Sequence, residues 1–225
     1  MERVRPIVDL SGFEPLGESE RRAARLELGW GRDERVHLCV GELSHRKNQL
    51  ALASAWKKHA GERDRLVFVG DGALRAPIEN LCSERIELLG WRQDISALMG
   101  AADSLLIPSL GEGFSLVILE ALATGLPVFS TSIGGTEIIA PNDGRVVTTP
   151  EEVVRAAIAS ALPSGGPRAR AARAGRHRVA ASLETVADDF VRIYAKVLGR
   201  EDDVVDLRND APADSATAPR NTDAR

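Results

Sequence analysis

Hydrophobic and polar positions divide most of the chain into two kinds of segment. Six short, nearly continuous apolar runs are typical of strands that are buried on both faces of a parallel sheet. They occupy residues 35–40, 65–69, 85–89, 103–107, 126–130 and 145–148. Segments with apolar residues at helical spacing lie before and between them, at 18–28, 48–60, 73–83, 94–101, 115–124 and 135–139. This alternation predicts an α/β fold with a doubly wound, mostly parallel sheet of the Rossmann-like kind.

The two ends of the chain differ from this central pattern. After residue 150 the strand-like runs stop, and helices are predicted at 150–162, 167–182 and 183–199. Residues 200–225 contain too few apolar side chains to offset the entropy of ordering, so we predict a disordered C-terminal tail. Residues 1–17, with two prolines and two glycines, are predicted to form an extended lead-in. A single domain is therefore expected over 18–199, with Ser19 as the cap of its first helix.

Composition narrows the class of protein. The 225 residues carry 33 acidic and 29 basic side chains, a net charge of −4 that argues against broad binding of nucleic acid. No apolar run approaches the ~20 residues that span a bilayer, so at most peripheral membrane contact is expected. Cys39 and Cys82 are too few for a disulfide framework and are predicted to be reduced, buried thiols of a cytoplasmic protein.

Two carboxylates are placed for ligand binding. The loops that follow parallel strands share one rim of the sheet, and Glu112 lies in such a loop, between Gly111 and Gly113. Glu120 follows inside an apolar helix, about 7 to 8 Å from its start. That separation is near the span from a nucleotide's diphosphate to its ribose, and the free N–H groups of a helix start can bind phosphate. The spacing predicts a nucleotide-sugar site.

Less specific interpretations exist for each candidate. Glu112 and Glu120 could be an exposed loop carboxylate and a salt-bridged helix residue. However, the helix around Glu120 is apolar on nearly all sides, and a buried carboxylate needs a partner. Arg46 and Lys47 could be solvated charges, but cations before a helix oppose its dipole unless an anion is near. For Trp91, packing and stacking on a base stay open.

An ordered set of short motifs resembles a known enzyme family. The motifs occupy residues 40–48, 69–72, 89–91, 108–121, 125–128 and 134–137. In this order and spacing they resemble the C-terminal, donor-binding half of retaining glycosyltransferases of the GT-B fold, known as family 4 or group 1. The resemblance covers about residues 5–200 and implies a single GT-B half-domain.

The resemblance implies roles for the matching positions. Those expected to bind substrate are Gly41, Arg46, Lys47, Trp91, Arg92, Glu112, Gly113, Phe114, Ser115 and Glu120. Lys47 and Glu112 are also the candidate catalytic residues: Lys47 would neutralise the donor diphosphate, and Glu112 would contact the transferred sugar. Backbone amides of residues 113–115 would hold phosphate or sugar oxygens, Glu120 would bind ribose, and residues 90–92 would lie near the base.

The implied reaction transfers a sugar, with retention, from a nucleoside diphosphate sugar to a hydroxyl in polysaccharide or glycoconjugate synthesis. The chain has no Asp-x-Asp pair, and we expect no metal or other cofactor, with Lys47 and a helix start in place of the ion. Many relatives carry Arg where this chain has Glu42. Either Arg46 compensates for that difference or Glu42 points away from the pocket.

The acceptor-binding half of such enzymes is expected to be missing here. Activity would then require a separate N-terminal acceptor-binding chain, or the chain would be a truncated, inactive remnant. A non-catalytic nucleotide-sugar-binding module is a further alternative, as is another chemistry of the same fold, such as epimerisation of a nucleotide sugar.

Overall fold

A parallel sheet organises the part of the chain that the computed structural model describes, which is residues 10, 12–160 and 174. Its strands are β1 Arg35–Val40, β2 Asp64–Val69, β3 Ile86–Leu88, β4 Ser104–Ile107, β5 Val128–Thr131 and β6 Gly144–Val147. They are arranged in the order β3-β2-β1-β4-β5-β6, and every neighbouring pair is parallel. This is the strand order of a doubly wound Rossmann-like sheet. The predicted fold class is confirmed.

The helices lie where the apolar spacing predicts them. They are α1 Glu18–Glu27, α2 Gln49–His59, α3 Arg75–Glu79, α4 Ile95–Ala101, α5 Leu116–Ala123 and α6 Pro150–Ala159, with a 3₁₀ turn at Thr136–Ile138. The predicted cap Ser19 is wrong, because it lies inside α1. Gly17 is the N-cap instead, and its amide donates to the Glu20 carboxylate at 2.8 Å, which satisfies the helix start.

The region after α3 differs most from its prediction. The helix expected over 73–83 ends at Glu79, and the chain then turns back, with Ser83 forming an isolated antiparallel bridge to Ile86. Cys82 lies in this turn and is exposed, so its predicted place in a helix and its predicted burial are both wrong. Cys39, within β1, is buried as predicted, and burial raises the pKa of its thiol to about 12.

Alternation along the central strands divides the core between two faces. Val36 and Leu38 of β1 pack with α4 and α5 residues on one face, where α1 also lies against α4. Cys39 packs on the other face with Trp56 of α2 and Val153 of α6. Both faces are therefore covered, as nearly continuous apolar strands require. The carboxyl ends of the strands stay open to loops.

Several predictions fall outside the described residues. These are the helices at 167–182 and 183–199, the tail at 200–225 and most of the lead-in. They stay predictions. Among the described helices, none has both the length and the apolar character that crossing a bilayer demands.

Candidate functional site

An ion pair joins two loops at the carboxyl ends of β1 and β4. The Lys47 ammonium lies 2.9 Å from Oε1 of Glu112, and these side chains are only 16% and 6% exposed. The Ser109 hydroxyl donates to the same carboxylate oxygen at 2.6 Å. The prediction that Lys47 and the Gly-rich loop share one rim is confirmed. Ser109 is a residue that sequence reasoning missed, although it lies within a motif quoted above.

Backbone contacts hold the β1 loop against the β4 loop. Asn48, in the left-handed conformation at φ 58°, donates through Nδ2 to the Pro108 carbonyl at 3.2 Å. The Leu110 amide donates to the Arg46 carbonyl at 2.9 Å. A Cβ built on Gly41 would lie 3.6 Å from Cε of Lys47, so the lysine stem runs over this glycine. The position of the ammonium is therefore fixed by the fold.

Glu112 is ionised in this setting. Burial raises its pKa, but hydrogen bonds from Ser109 and Lys47 and the lysine charge outweigh that effect, so the net pKa of the carboxyl is lowered. Ser115 also approaches closely enough to lower this pKa, yet its buried hydroxyl makes no hydrogen bond within the described chain. Lys47 and Glu112 thus form an ordered ion pair, and the Ser115 hydroxyl beside it is without a hydrogen bond in the described chain.

A close backbone approach fixes the shape of the Gly-rich loop. The Gly134 amide donates to the Glu112 carbonyl, and the Gly134 carbonyl accepts from the Ser115 amide, both at 3.1 Å. A Cβ on Gly134 would lie 1.8 Å from the Gly113 carbonyl oxygen, so only glycine fits there. Sequence reasoning quoted Gly134 in a motif but gave it no role. The adjacent glycines at 134 and 135 were the sequence feature that could have indicated a close backbone approach.

The start of α5 offers backbone donors. The Ser115 amide is already used by Gly134. The amides of Gly113, Phe114, Leu116 and Val117 have no hydrogen-bond partner among the described residues. Unpaired N–H groups at a helix start bind anions. The available donors therefore extend further into the helix than the predicted set of Gly113, Phe114 and Ser115.

Glu120 is the fifth residue of α5 and is half-buried. Burial raises the pKa of its carboxyl. The Glu120 carboxylate makes no ion pair or hydrogen bond with the part of the chain that the structure describes. The expected burial of Glu120 is thus present in part. A buried carboxylate needs a partner, and the described part of the chain does not supply one.

Arg46 and Glu42 lie at the edge of the rim. Their charged groups are 3.9 Å apart and both side chains are largely exposed. Arg46 also donates to the Gly111 carbonyl at 3.4 Å. Glu42 therefore faces Arg46 and solvent, and the guanidinium offsets its charge beside the Gly-rich loop.

The predicted base-binding residues are separate from the ion pair. Trp91 is 68% exposed, so the packing alternative for this side chain is wrong. Arg92 is held by Asp94 through two hydrogen bonds of 2.7 and 2.6 Å. Neither makes a contact with Lys47 or Glu112 in the described chain. Among the described residues, no cluster of three or more His, Cys, Asp and Glu is placed to hold a metal ion. Metal independence stays a prediction.

The sheet order and the loops at its carboxyl rim define a nucleotide-binding α/β domain of the doubly wound class. Residues 34–162, more than half of the chain, match the family described as Glycosyl transferases group 1. The chain belongs to this family.

Relatives of known activity match over part of their length. An Escherichia coli UDP-Gal:alpha-D-GlcNAc-diphosphoundecaprenol alpha-1,3-galactosyltransferase is 36% identical over 148 residues, which cover 60% of this chain and 38% of that protein. A D-inositol 3-phosphate glycosyltransferase of Mycobacterium bovis is 33% identical, with 87% of this chain and 44% of that protein covered. The chain spans about half the length of the relatives it matches, or less.

Solved structures share the fold. The crystal structure of Anabaena HepE in complex with UDP superposes with a TM-score of 0.71 at 22% identity, over 88% of this chain and 57% of that one. WaaG, a glycosyltransferase involved in lipopolysaccharide biosynthesis, superposes with a TM-score of 0.64 at 24% identity, over 87% of this chain and 55% of that one. These similarities identify the described sheet as one half of a GT-B fold.

Proposed function

We propose that the chain is the donor-binding half of a glycosyltransferase that moves a sugar, with retention, from a nucleoside diphosphate sugar to a hydroxyl in polysaccharide or glycoconjugate synthesis. The observation that carries the proposal is the partly buried Lys47–Glu112 pair beside the free amides at the start of α5. Solved HepE complexes with UDP and with UDP-glucose support a nucleotide-sugar ligand.

Lys47 supplies positive charge where the leaving group gains negative charge. As the glycosidic bond to the diphosphate breaks, charge grows on the phosphate oxygens, and a preorganised cation stabilises it without reorganisation. The amides of Gly113 and Phe114 and the α5 start add partial positive charge on the same side. In this proposal, these groups take the place of a metal ion.

Glu112 is suited to bind hydroxyls of the transferred sugar. Its carboxylate is ionised and accepts from Ser109 and Lys47 through Oε1, which leaves Oε2 available to a sugar hydroxyl. An ionised acceptor makes short, strong hydrogen bonds with hydroxyl groups. Because Ser109 keeps Glu112 in place, Lys47 can turn part of its bonding capacity to the diphosphate when donor binds.

Glu120 is assigned to ribose. A half-buried carboxylate without a protein partner gains two hydrogen bonds when it accepts from vicinal ribose hydroxyls. Its place one turn along α5 from the phosphate-binding amides agrees with the length of a nucleoside diphosphate.

The acceptor half belongs to a second domain or chain in this proposal. Trp91, Leu110 and Leu116 are large apolar side chains exposed on the loops and the helix start at the rim. A domain that closed over them would exclude water from the site and hold the acceptor. Orientation of the two substrates can contribute about 7–11 kcal/mol to the barrier reduction. The alternative is a module that binds nucleotide sugar without transfer.

A thermal-shift panel of UDP, GDP, ADP and their sugars tests donor binding. Ligand at 100 times its Kd should add about 2.7 kcal/mol to the free energy of unfolding. We expect stabilisation by one nucleotide family, with EDTA having no effect, and loss of the response in Lys47→Met and Glu120→Gln. The matched control is Glu62→Gln, which removes an exposed carboxylate away from the rim.

Stabilisation by none of the nucleotides would contradict the proposal. Addition of a separately produced acceptor-binding domain, followed by NMR of the product anomer, tests transfer and retention. Tight donor binding without transfer or hydrolysis in that assay would favour the non-catalytic module.

A further inference from the structure

A second cavity lies far from the carboxyl rim. It has a volume of about 420 Å³ and is lined by four arginines on and after α1, with Glu18, Leu26 and Trp30. The arginines are Arg21, Arg22, Arg25 and Arg32. Its size is at the lower end of the range for small-molecule pockets.

Two of the arginines have a structural partner. Arg21 lies 2.7 Å and Arg25 3.1 Å from the two carboxylate oxygens of Asp103. Arg25 also donates to the carbonyls of Gly31 and Glu34 at 2.8 and 2.7 Å. These contacts hold α1 against the segments that precede β1 and β4. They give Arg21 and Arg25 a structural role.

The other two arginines, Arg22 and Arg32, take no part in the contacts to Asp103. Arg22 pairs with Glu18 at 3.2 Å on the exposed surface of α1. Arg32 makes no ion pair or hydrogen bond within the described chain. Four guanidinium groups thus face two carboxylates, Glu18 and Asp103, and the cavity keeps a surplus of positive charge.

Buried donors in the cavity wall lack partners. Trp30 is 3% exposed, and its indole Nε1 makes no hydrogen bond in the described chain. Nε of Arg25 and Nε of Arg21 are likewise buried and unsatisfied. Burial and the neighbouring Arg25 lower the pKa of Arg21 despite its pairing with Asp103. These unsatisfied nitrogen atoms have almost no accessible surface, so they do not bond a ligand in the cavity directly; the surplus of guanidinium groups in the lining is what favours an anion inside it.

The cavity is distinct from the candidate donor site. Arg25 bonds the Glu34 carbonyl, just before β1 begins, whereas Gly41 and Lys47 follow its end. The six residues of β1 separate the two by roughly 20 Å. No nucleotide bound at the rim reaches across that distance through the sheet.

We propose that this arginine cavity binds a phosphate group, either a free phosphate or phosphomonoester or the phosphate of a lipid headgroup. Arginine presents a planar fork of donors that matches phosphate oxygens, and Arg22 and Arg32 are the members with capacity to engage it. Leu26, 82% exposed beside them, gives the cavity an apolar edge. The cavity acts independently of the donor site.

The test compares two probes on the full chain. Inorganic phosphate is titrated and its ³¹P line broadening is followed at constant ionic strength with chloride. Vesicles of phosphatidylglycerol, with phosphatidylcholine vesicles as reference, are used for co-sedimentation. The variant is Arg22→Gln with Arg32→Gln, and the matched control is Arg63→Gln with Arg145→Gln, which removes the same charge from exposed positions elsewhere.

We expect the cavity variant to weaken phosphate or vesicle binding about tenfold or more, since charge-assisted bonds to an anion are lost. The control should bind as the parent does. Binding of phosphate identifies a soluble ligand, and binding of phosphatidylglycerol vesicles alone identifies a lipid headgroup. Equal loss in the control, loss in Lys47→Met but not in the cavity variant, or no binding of either probe by the parent overturns the proposal.

Discussion

The two ends of the sheet use carboxylates in opposite ways. At the amino ends, Asp103 is clamped by Arg21 and Arg25 and accepts from the Val36 amide at 2.8 Å. At the carboxyl ends, Glu112 meets Lys47 and a serine hydroxyl, next to backbone donors that have no partner in the described chain. The first arrangement joins helix to strand. The second joins loop to loop and leaves bonding capacity unused.

This difference separates stability from binding. Loss of Asp103 would release contacts between α1 and the amino ends of β1 and β4, away from the rim. Loss of a rim contact would disturb the loops that carry Lys47, Glu112 and the first of the free amides. Mutations at the two ends should therefore change different measured quantities.

Asp103→Ala is expected to have the largest effect on stability. It removes the carboxylate partner of two partly buried guanidinium groups and the acceptor of a strand amide, which should cost about 3–5 kcal/mol. Urea unfolding measures this loss, and the remaining folded protein should keep its nucleotide-induced thermal shift. Asp71→Ala, which removes an exposed ion pair with Arg75, is the control and should change stability by less than about 1 kcal/mol. Equal effects of the two changes would contradict the comparison.

Gly134→Ala is expected to damage the rim. Its new methyl group would meet the Gly113 carbonyl oxygen at 1.8 Å and force the Gly-rich loop to move, at a cost of about 1–3 kcal/mol. Nucleotide binding should fall with it, because Glu112 and the amides shift together. Gly111→Ala, where a Cβ meets nothing within 4 Å, is the matched control. A normal nucleotide response in Gly134→Ala would show that the loop position is unimportant.

Sequence alone predicted the sheet and the shared rim because both follow from local pattern and topology. Lys47 and Glu112 lie far apart in sequence, yet loops after parallel strands must meet, and the ion pair confirms that reasoning. The contact of Gly134 with Gly113 was not predictable in the same way. It depends on the path of a loop after β5, which no periodicity encodes.

The errors have a similar origin. Helical spacing around Cys82 predicts a helix there, but α3 ends at Glu79 and Ser83 forms a bridge to Ile86, so the thiol lies in a turn and is exposed. The arginine cavity left no sequence signal, because α1 carries three acidic and three basic residues and has no net charge. Its lining depends on Trp30 and Arg32 after α1 folding back beside it.

Lys47→Met tests the ion pair itself. The nearly buried Glu112 would keep only its bond from Ser109, which should cost about 1–2 kcal/mol of stability. Affinity for the nucleoside diphosphate should fall by about tenfold or more, because a charge-assisted contact is lost. Isothermal titration measures the affinity, with exposed Lys57→Met as the control. If Lys47→Met bound the nucleoside diphosphate as tightly as the parent does, Lys47 would not be part of the phosphate site.

Glu120→Gln is expected to have the smallest effect on stability, and a favourable one. Burial raises the pKa of the folded-state carboxyl above its unfolded value, so stability is lost as pH rises through the interval between those two pKa values. Glutamine cannot ionise. The variant should therefore be more stable at pH 7, by a few tenths of a kcal/mol to about 1 kcal/mol after solvent screening.

The gain should vanish below the unfolded pKa, at about pH 3.5, where both side chains are neutral. Urea unfolding at the two pH values measures it, with Glu62→Gln as the exposed control. In the same variant, nucleotide binding should weaken, because an amide accepts from ribose hydroxyls less strongly than a carboxylate does. A carboxylate that destabilises the free fold and strengthens ligand binding is what a binding role requires. A Glu120→Gln variant that was less stable at pH 7, with full nucleotide affinity, would instead assign this side chain to the fold.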